Sequence, residues 1–250
     1  MKTLIVNADD FGMTPGVSEG ILRAHRHGIV TSTTMLATAD VDRRQLARAL
    51  DSDLGIGLHV NLTLGRPLTR GRSLVGDDGR FVRDARRAAA RADVRDVERE
   101  VEAQVDRFVE LVRRPPTHLD THHHVGLHEP VAGVVLAVAR RLGLPVRSQN
   151  EAARRRARSA GIPTPDAFFG ESGPDAYWTA ARTLLRLRDV PDGVSEFMTH
   201  PGLFDDALSY SRYGRQRETE LAALGSPAAR AAAHALGVRL ATFAALSPRR

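Results

Sequence analysis

Short apolar runs rich in β-branched residues alternate along this chain with stretches whose apolar positions recur every three or four residues. Thr3-Leu4-Ile5-Val6 reads as a buried strand. Thr14 then caps a helix that has Pro15 at its first position, and Gly28 ends it after His27. A second strand is expected within 29–38, a helix over 41–50 and a third strand from Leu54 to Val60. The clearest helix follows, with Val94, Val97, Val101, Val105, Phe108, Val109 and Val112 on one stripe, stopped by Pro115-Pro116. Thr117 to Thr121 enters a strand, Pro130 to Leu142 is helical, and Leu144 to Arg147 makes a short strand. Beyond these, the pattern predicts a helix over 175–187, a strand over 194–199, helices near 212–224 and 227–236, and a last strand over 238–243. Leu64 to Ala90 carries Gly, Pro, Arg and Asp without a period; a loop of that length is usually functional and often covers a site.

Repeated βα units without a linker or internal repeat predict one domain over 1–250. The expected fold is α/β: a distorted (β/α) barrel of mainly parallel strands with outer helices, its site at the C-terminal strand ends.

Composition narrows the chemistry. At 250 residues and 42% apolar content, the chain can bury a substantial core. No apolar run approaches the roughly 20 residues of a membrane span, and Asn7 interrupts the N-terminal apolar run too early for a signal-peptide core. A cytoplasmic protein without a membrane partner is expected, and a homodimer is left open. Cysteine is absent, which excludes disulfides, thiolate nucleophiles and thiolate metal sites. The formal charge of +6 comes almost wholly from arginine spread among alanines, Lys2 being the only lysine. That dispersion argues against a nucleic-acid surface. The run Arg154-Arg155-Arg156-Ala157-Arg158 is most simply a solvated face.

The polar residues of interest fall at matching places. Asp9 and Asp10 follow the first strand, His59 ends the third, His122 ends the strand after Pro116, and His200 ends the strand Ser195–Thr199. In parallel α/β barrels those ends share one face. Alternation places His118, Asp120 and His122 on one side of their strand, a polar face that a buried strand does not carry without cause. Asp120 is a candidate to take the second N–H of a ligating imidazole. Two adjacent aspartates suit a hydrolytic metal site, with one carboxylate on the ion and the other accepting the proton of bound water. Singly, each feature has a plainer reading: a strand-end turn, a core histidine or a turn cap. His25 and His27 read as surface residues, and His128 as structural.

At these residues the chain resembles the YdjC/ChbG family of carbohydrate deacetylases. The matching stretches are Leu4 to Gly12, Gly28 to Thr34, Gly57-Leu58-His59, Pro116 to Val125 and Thr199 to Gly202. The pattern from Tyr213 to Leu224, with Arg215, Glu220 and Leu221, also fits, so the resemblance covers nearly the whole chain. It implies a distorted barrel and a hydrolase that removes acetyl groups from N-acetylated amino sugars or chito-oligosaccharides. By position it implies Asp10, His59 and His122 as metal ligands, Asp9 as the base and His200 as the general acid. Arg147 is a candidate to orient substrate hydroxyls or a phosphate, with a surface salt bridge as its plainer role. The expected cofactor is one divalent ion: two imidazoles and a carboxylate suit Zn²⁺, whereas the family is described with Mg²⁺. Gly126 stands where the family usually has a further histidine, which bears on substrate identity. Fold and ion alone also admit a metal-dependent phosphoesterase or lyase, or a non-catalytic sugar-binding relative.

Overall fold

A computed structural model of the chain describes residues 1–246. The first strand, β1 (Lys2–Phe11), is buried from Thr3 onward and runs well past its apolar start. Asp9 and Asp10 therefore lie inside the strand rather than after it. The strand runs on through these polar positions, and the Asn7 side-chain amide donates to the Asp9 carboxylate. The first helix, α1 (Pro15–His27), begins as the sequence predicts, with Thr14 accepting from the Val17 amide. Its Gly20 lies against Gly202; a Cβ there would come 2.4 Å from the Gly202 Cα.

The chain continues through β2 (Ser32–Met35), α2 (Arg43–Leu50), β3 (Gly55–Val60), α3 (Ala85–Arg91), α4 (Val94–Val112), β4 (Leu119–Thr121), α5 (Val131–Leu142) and α6 (Glu151–Ser159). It ends with β5 (Ala167–Phe169), α7 (Ala180–Asp189), β6 (Gly193–Thr199), α8 (Gln216–Leu224), α9 (Pro227–Ala235) and β7 (Arg239–Leu240). The pairs β1–β6, β1–β7, β3–β4 and β5–β6 are all parallel. The fold is thus α/β and of the distorted barrel class, with seven strands among the described residues. No helix among those residues is long and apolar enough to cross a membrane.

Contacts divide the chain into two compact units. The first comprises Met1–Thr34, Val41–Ile56 and the described residues from Pro165 onward. Here β1 pairs with β6 from Lys2↔Gly193 to Ala8↔Thr199, so β1 continues past the end of β6 and Asp9 comes beside the residue that follows it. β5 extends the sheet beyond β6, and β7 pairs with β1. Trp178 stacks on Phe197 at 4.4 Å and donates its indole N–H to the Met198 carbonyl at 2.7 Å. That bond satisfies the polar end of a fully buried aromatic residue.

The second unit comprises Met35–Asp40 and Gly57–Thr164. The end of β3 pairs with β4, His59 opposite Asp120, and Val146 bridges to Leu119. Helix α4 has the bounds its stripe predicts, but Val94 and Val109 are 45% and 39% exposed. These two flank the stripe, and Leu111 is buried with the inner valines. Glu100 and Gln104 are fully buried on the same helix.

Glu100, together with Asp96 on the same helix, explains the 64–90 segment. Glu100 accepts from the amides of Leu68 and Thr69 at 3.0 and 2.9 Å, and Asp96 accepts from Ser73. The segment holds a single 3₁₀ turn at Arg72–Leu74, an antiparallel bridge between Val75 and Phe81, and then α3. It is pinned to α4, not an unstructured excursion.

The arginine run lies on α6, with Ala157 buried and Arg155, Arg156 and Arg158 exposed. Sequence patterning missed β5, and it began the helices at 175 and 212 too early. The last strand is also shorter than expected, because only Arg239 and Leu240 find a β1 partner.

Candidate active-site residues

In the second unit, parallel pairing sets Asp120 beside His59, and a short hydrogen-bonded series grows from that pair. The His59 Nδ1 lies 2.6 Å from Asp120 Oδ1, and Arg147 Nη1 lies 2.8 Å from Asp120 Oδ2. An ionised carboxylate can only accept, so His59 Nδ1 donates and its lone pair sits on Nε2. Arg147 is buried, so this is an interior ion pair rather than a surface salt bridge. The His122 ring meets that of His59 edge-on, with centroids 5.5 Å apart, and its Nδ1 is 2.6 Å from Thr63 Oγ1. Each imidazole is therefore held at Nδ1 by a neighbour, the usual way a protein presents Nε2 to a metal. The donor chemistry of this pair fits a divalent cation.

Thr63 is itself placed by α4. Asn61 Oδ1 accepts from the Thr63 amide, and Gln104 bonds both the amide and the carbonyl of Asn61. His118 shares the polar side of its segment as expected; its ring occupies the space above Gly57, where a Cβ would come 2.5 Å from Cε1. The histidine run splits after β4. His122 is buried, whereas His123 and His124 adopt left-handed φ values of 52° and 55°. His124 Nδ1 meets Gln149 at 3.1 Å.

In the first unit, Asp9 and Asp10 have different partners. Asp9 accepts from the Asn7 amide group at 2.8 Å and lies 3.9 Å from His200 Nε2, each being the residue after the Ala8↔Thr199 pair. Asp10 has φ 75°, an uncommon conformation outside glycine, and its Oδ2 accepts from Arg217 Nη2 at 2.6 Å. Both aspartates are buried. His200 follows β6, and its amide donates to Glu220 Oε2 at 2.5 Å. Elsewhere in this unit, His25 is a half-buried bridge to Val30 and Asp53 rather than a plain surface residue.

Sequence reasoning missed Thr63, Gln104 and Arg217. A weak signal existed for Arg217: Tyr213, Arg217 and Glu220 recur at helical spacing, although such a polar stripe is ordinarily solvated.

Glu220 is fully buried, and burial pushes its pKa up to about 7, against the hydrogen bonds from Tyr213, His200 and Trp178. Burial and the Glu220 charge push the Tyr213 phenol up as well. A carboxyl raised on folding adds stability that is fully present below its unfolded value near 4.5 and is lost as pH rises through 7. Unfolding free energy should therefore fall across that window by on the order of 3 kcal/mol from this group. Glu220→Gln should flatten the fall, as read by urea unfolding at about pH 5 and about pH 8. An unchanged slope in the variant would refute the assignment.

The two units thus carry buried carboxylates and imidazoles at the C-terminal ends of parallel strands, the features of a hydrolase-type α/β chain. The family model for YdjC-like protein matches residues 3–235, and the chain belongs to that family. It is 41% identical over 245 residues to a carbohydrate deacetylase of Geobacillus stearothermophilus, covering 96% of each chain. It is 37% identical over 250 residues to a chitooligosaccharide deacetylase of Yersinia pestis (strain Pestoides F), covering 97% of this chain and 98% of the other. A crystal structure of a candidate cellobiose-phosphate cleavage protein from Enterococcus faecalis V583 superposes with a TM-score of 0.90, at 33% identity, over 99% of both chains.

Proposed function

We propose that this chain is a metal-dependent carbohydrate deacetylase that hydrolyses the acetamide of N-acetylated amino sugars or chito-oligosaccharides. The observation that carries the reading is the His59–His122 pair, each ring held at Nδ1 by a buried neighbour, in a chain so similar to deacetylases. Asp10, His59 and His122 are proposed as ligands of one divalent ion, Mg²⁺ or Zn²⁺. Such an ion, when bound, acidifies water and stabilises the oxyanion of the tetrahedral intermediate.

The chain's own groups handle the protons. Asp9 accepts the proton of the attacking water at a carboxylate oxygen. His200, protonated, donates from its ring to the leaving amine nitrogen. Their 3.9 Å separation supports a shared acid–base role. Asp120 and Arg147 orient His59 from behind. A cytoplasmic location belongs to the same proposal and is testable by cell fractionation.

The test is acetate release from a panel of N-acetylated sugars, with metal analysis on the same sample. Asp9→Asn should keep its metal and lose turnover by on the order of 10²-fold or more, the usual contribution of a positioned base. Hydrolysis of phosphate esters without acetate release would overturn the deacetylase reading. Equal activity in Asp9→Asn and the parent would overturn the base assignment.

A further inference from the structure

Three polar residues, Tyr213, Arg217 and Glu220, share one face of the chain entering and forming α8, at spacings of four and three. All three are buried, where a helix face normally carries apolar side chains. Buried charges are costly unless paired, so this stripe needs partners, and its partners in the first unit are the ligand candidate Asp10 and the acid candidate His200.

Arg217 lies between two segments. Its Nη2 donates to Asp10 Oδ2 at 2.6 Å and its Nε to the Tyr213 carbonyl at 2.9 Å, while its own carbonyl accepts from the Gly202 amide at 3.1 Å. Glu220 Oε2 accepts from the His200 amide, and its Oε1 accepts from the Tyr213 hydroxyl. The Tyr213 ring in turn packs on the His200 ring, with centroids 5.3 Å apart. One helical stripe thus touches the carboxylate of Asp10 and both the backbone and the ring of His200.

We propose that Arg217, Glu220 and Tyr213 are positioning residues for the hydrolysis, Arg217 fixing the Asp10 carboxylate and the Glu220–Tyr213 pair fixing His200. The proposal rests on the functional reading above. Asp10 takes a left-handed conformation next to the last residue of β1, where the strand geometry does not set its side chain, and Arg217 holds the carboxylate. His200 begins the connection after β6, where strand pairing no longer holds the chain, and Glu220 takes over by binding its amide.

Two measurements test this. Arg217→Lys keeps the charge but loses the planar fork that reaches Asp10 and Tyr213 together. Metal-stripped Arg217→Lys, titrated with Zn²⁺ and with Mg²⁺ against a chromophoric chelator, should bind about 10-fold or more weakly, the usual loss when a ligand's supporting partner changes. Arg215→Ala, from the exposed side of the same segment, should match the parent. For His200, Tyr213→Phe should lower kcat by roughly 10-fold with little change in KM, as expected when a transition-state interaction is lost. That cost should vanish in a His200→Ala background.

Unchanged metal affinity in Arg217→Lys would overturn the Arg217 role. An undiminished Tyr213→Phe cost without His200 would overturn the other half and leave a structural role. If the parent releases no acetate, the functional reading fails on its own, and the metal titration still decides for Arg217.

Discussion

His122→Ala should lose most of its bound metal and more than about 100-fold in turnover, whereas His123→Ala should stay near the parent in both. Supporting partners of metal ligands typically cost about 10–100-fold when removed, so loss of a ligand should exceed that range. Three consecutive histidines look equivalent in sequence, but the backbone separates them. His122 is buried, edge-on to His59, with its Nδ1 on Thr63. His123 turns left-handed and is exposed, stacking on the His122 ring at 3.8 Å. His124 is turned again and meets Gln149. Metal content by plasma mass spectrometry and acetate release on the three alanine variants provide the check. If His123→Ala loses metal as severely as His122→Ala, the ligand assignment within the run is wrong.

Local signals carried much of the fold. Helix α1 begins at Thr14 and Pro15 because a cap and a fixed φ need no tertiary help, and α4 has its predicted bounds because its apolar stripe is long and regular. Strand-end placement likewise singled out Asp9, Asp10, His59, His122 and His200 as candidates, and all five are buried. Failures came where the deciding partner is distant in sequence. β5 is three half-buried residues that become a strand only by pairing with β6. The 64–90 segment seemed aperiodic because its order comes from Asp96 and Glu100 on a later helix, through side chain–backbone bonds that leave no repeat.

The same limit applies to the supporting residues of the candidate site. Asp120 was readable because it shares a strand side with its neighbours and lies beside a candidate ligand position. Thr63 was not, because nothing in Asn61-Leu62-Thr63 marks it as the partner of an imidazole many residues away. Arg217 was hidden for a different reason: in a chain this rich in arginine, one more on a helix carries almost no information until its burial is seen.

The Asp120–Arg147 pair should give the largest stability effect in the second unit. Both side chains are buried, and Asp120 uses one oxygen for His59 and the other for Arg147. Asp120→Ala leaves a guanidinium in the interior without its counter-charge, and breaking such a pair from one side costs about 3–5 kcal/mol. It also removes the acceptor that sets the His59 tautomer, so metal affinity should fall by about 10–100-fold as well. Asp120→Asn separates the two effects. Its amide oxygen can still accept from His59 Nδ1, but it provides no negative charge for Arg147, so metal affinity should suffer less than stability. The double variant Asp120→Leu with Arg147→Met removes both charges together and should recover stability relative to Asp120→Ala, because the penalty comes from the unpaired partner more than from the lost attraction. Urea unfolding of metal-stripped protein reads the first effect without interference from ligand binding, which would otherwise add to stability by mass action. A parent-like midpoint for stripped Asp120→Ala would mean that Arg147 finds other compensation, and the ion pair would then be a device for orienting His59 rather than a support for the fold.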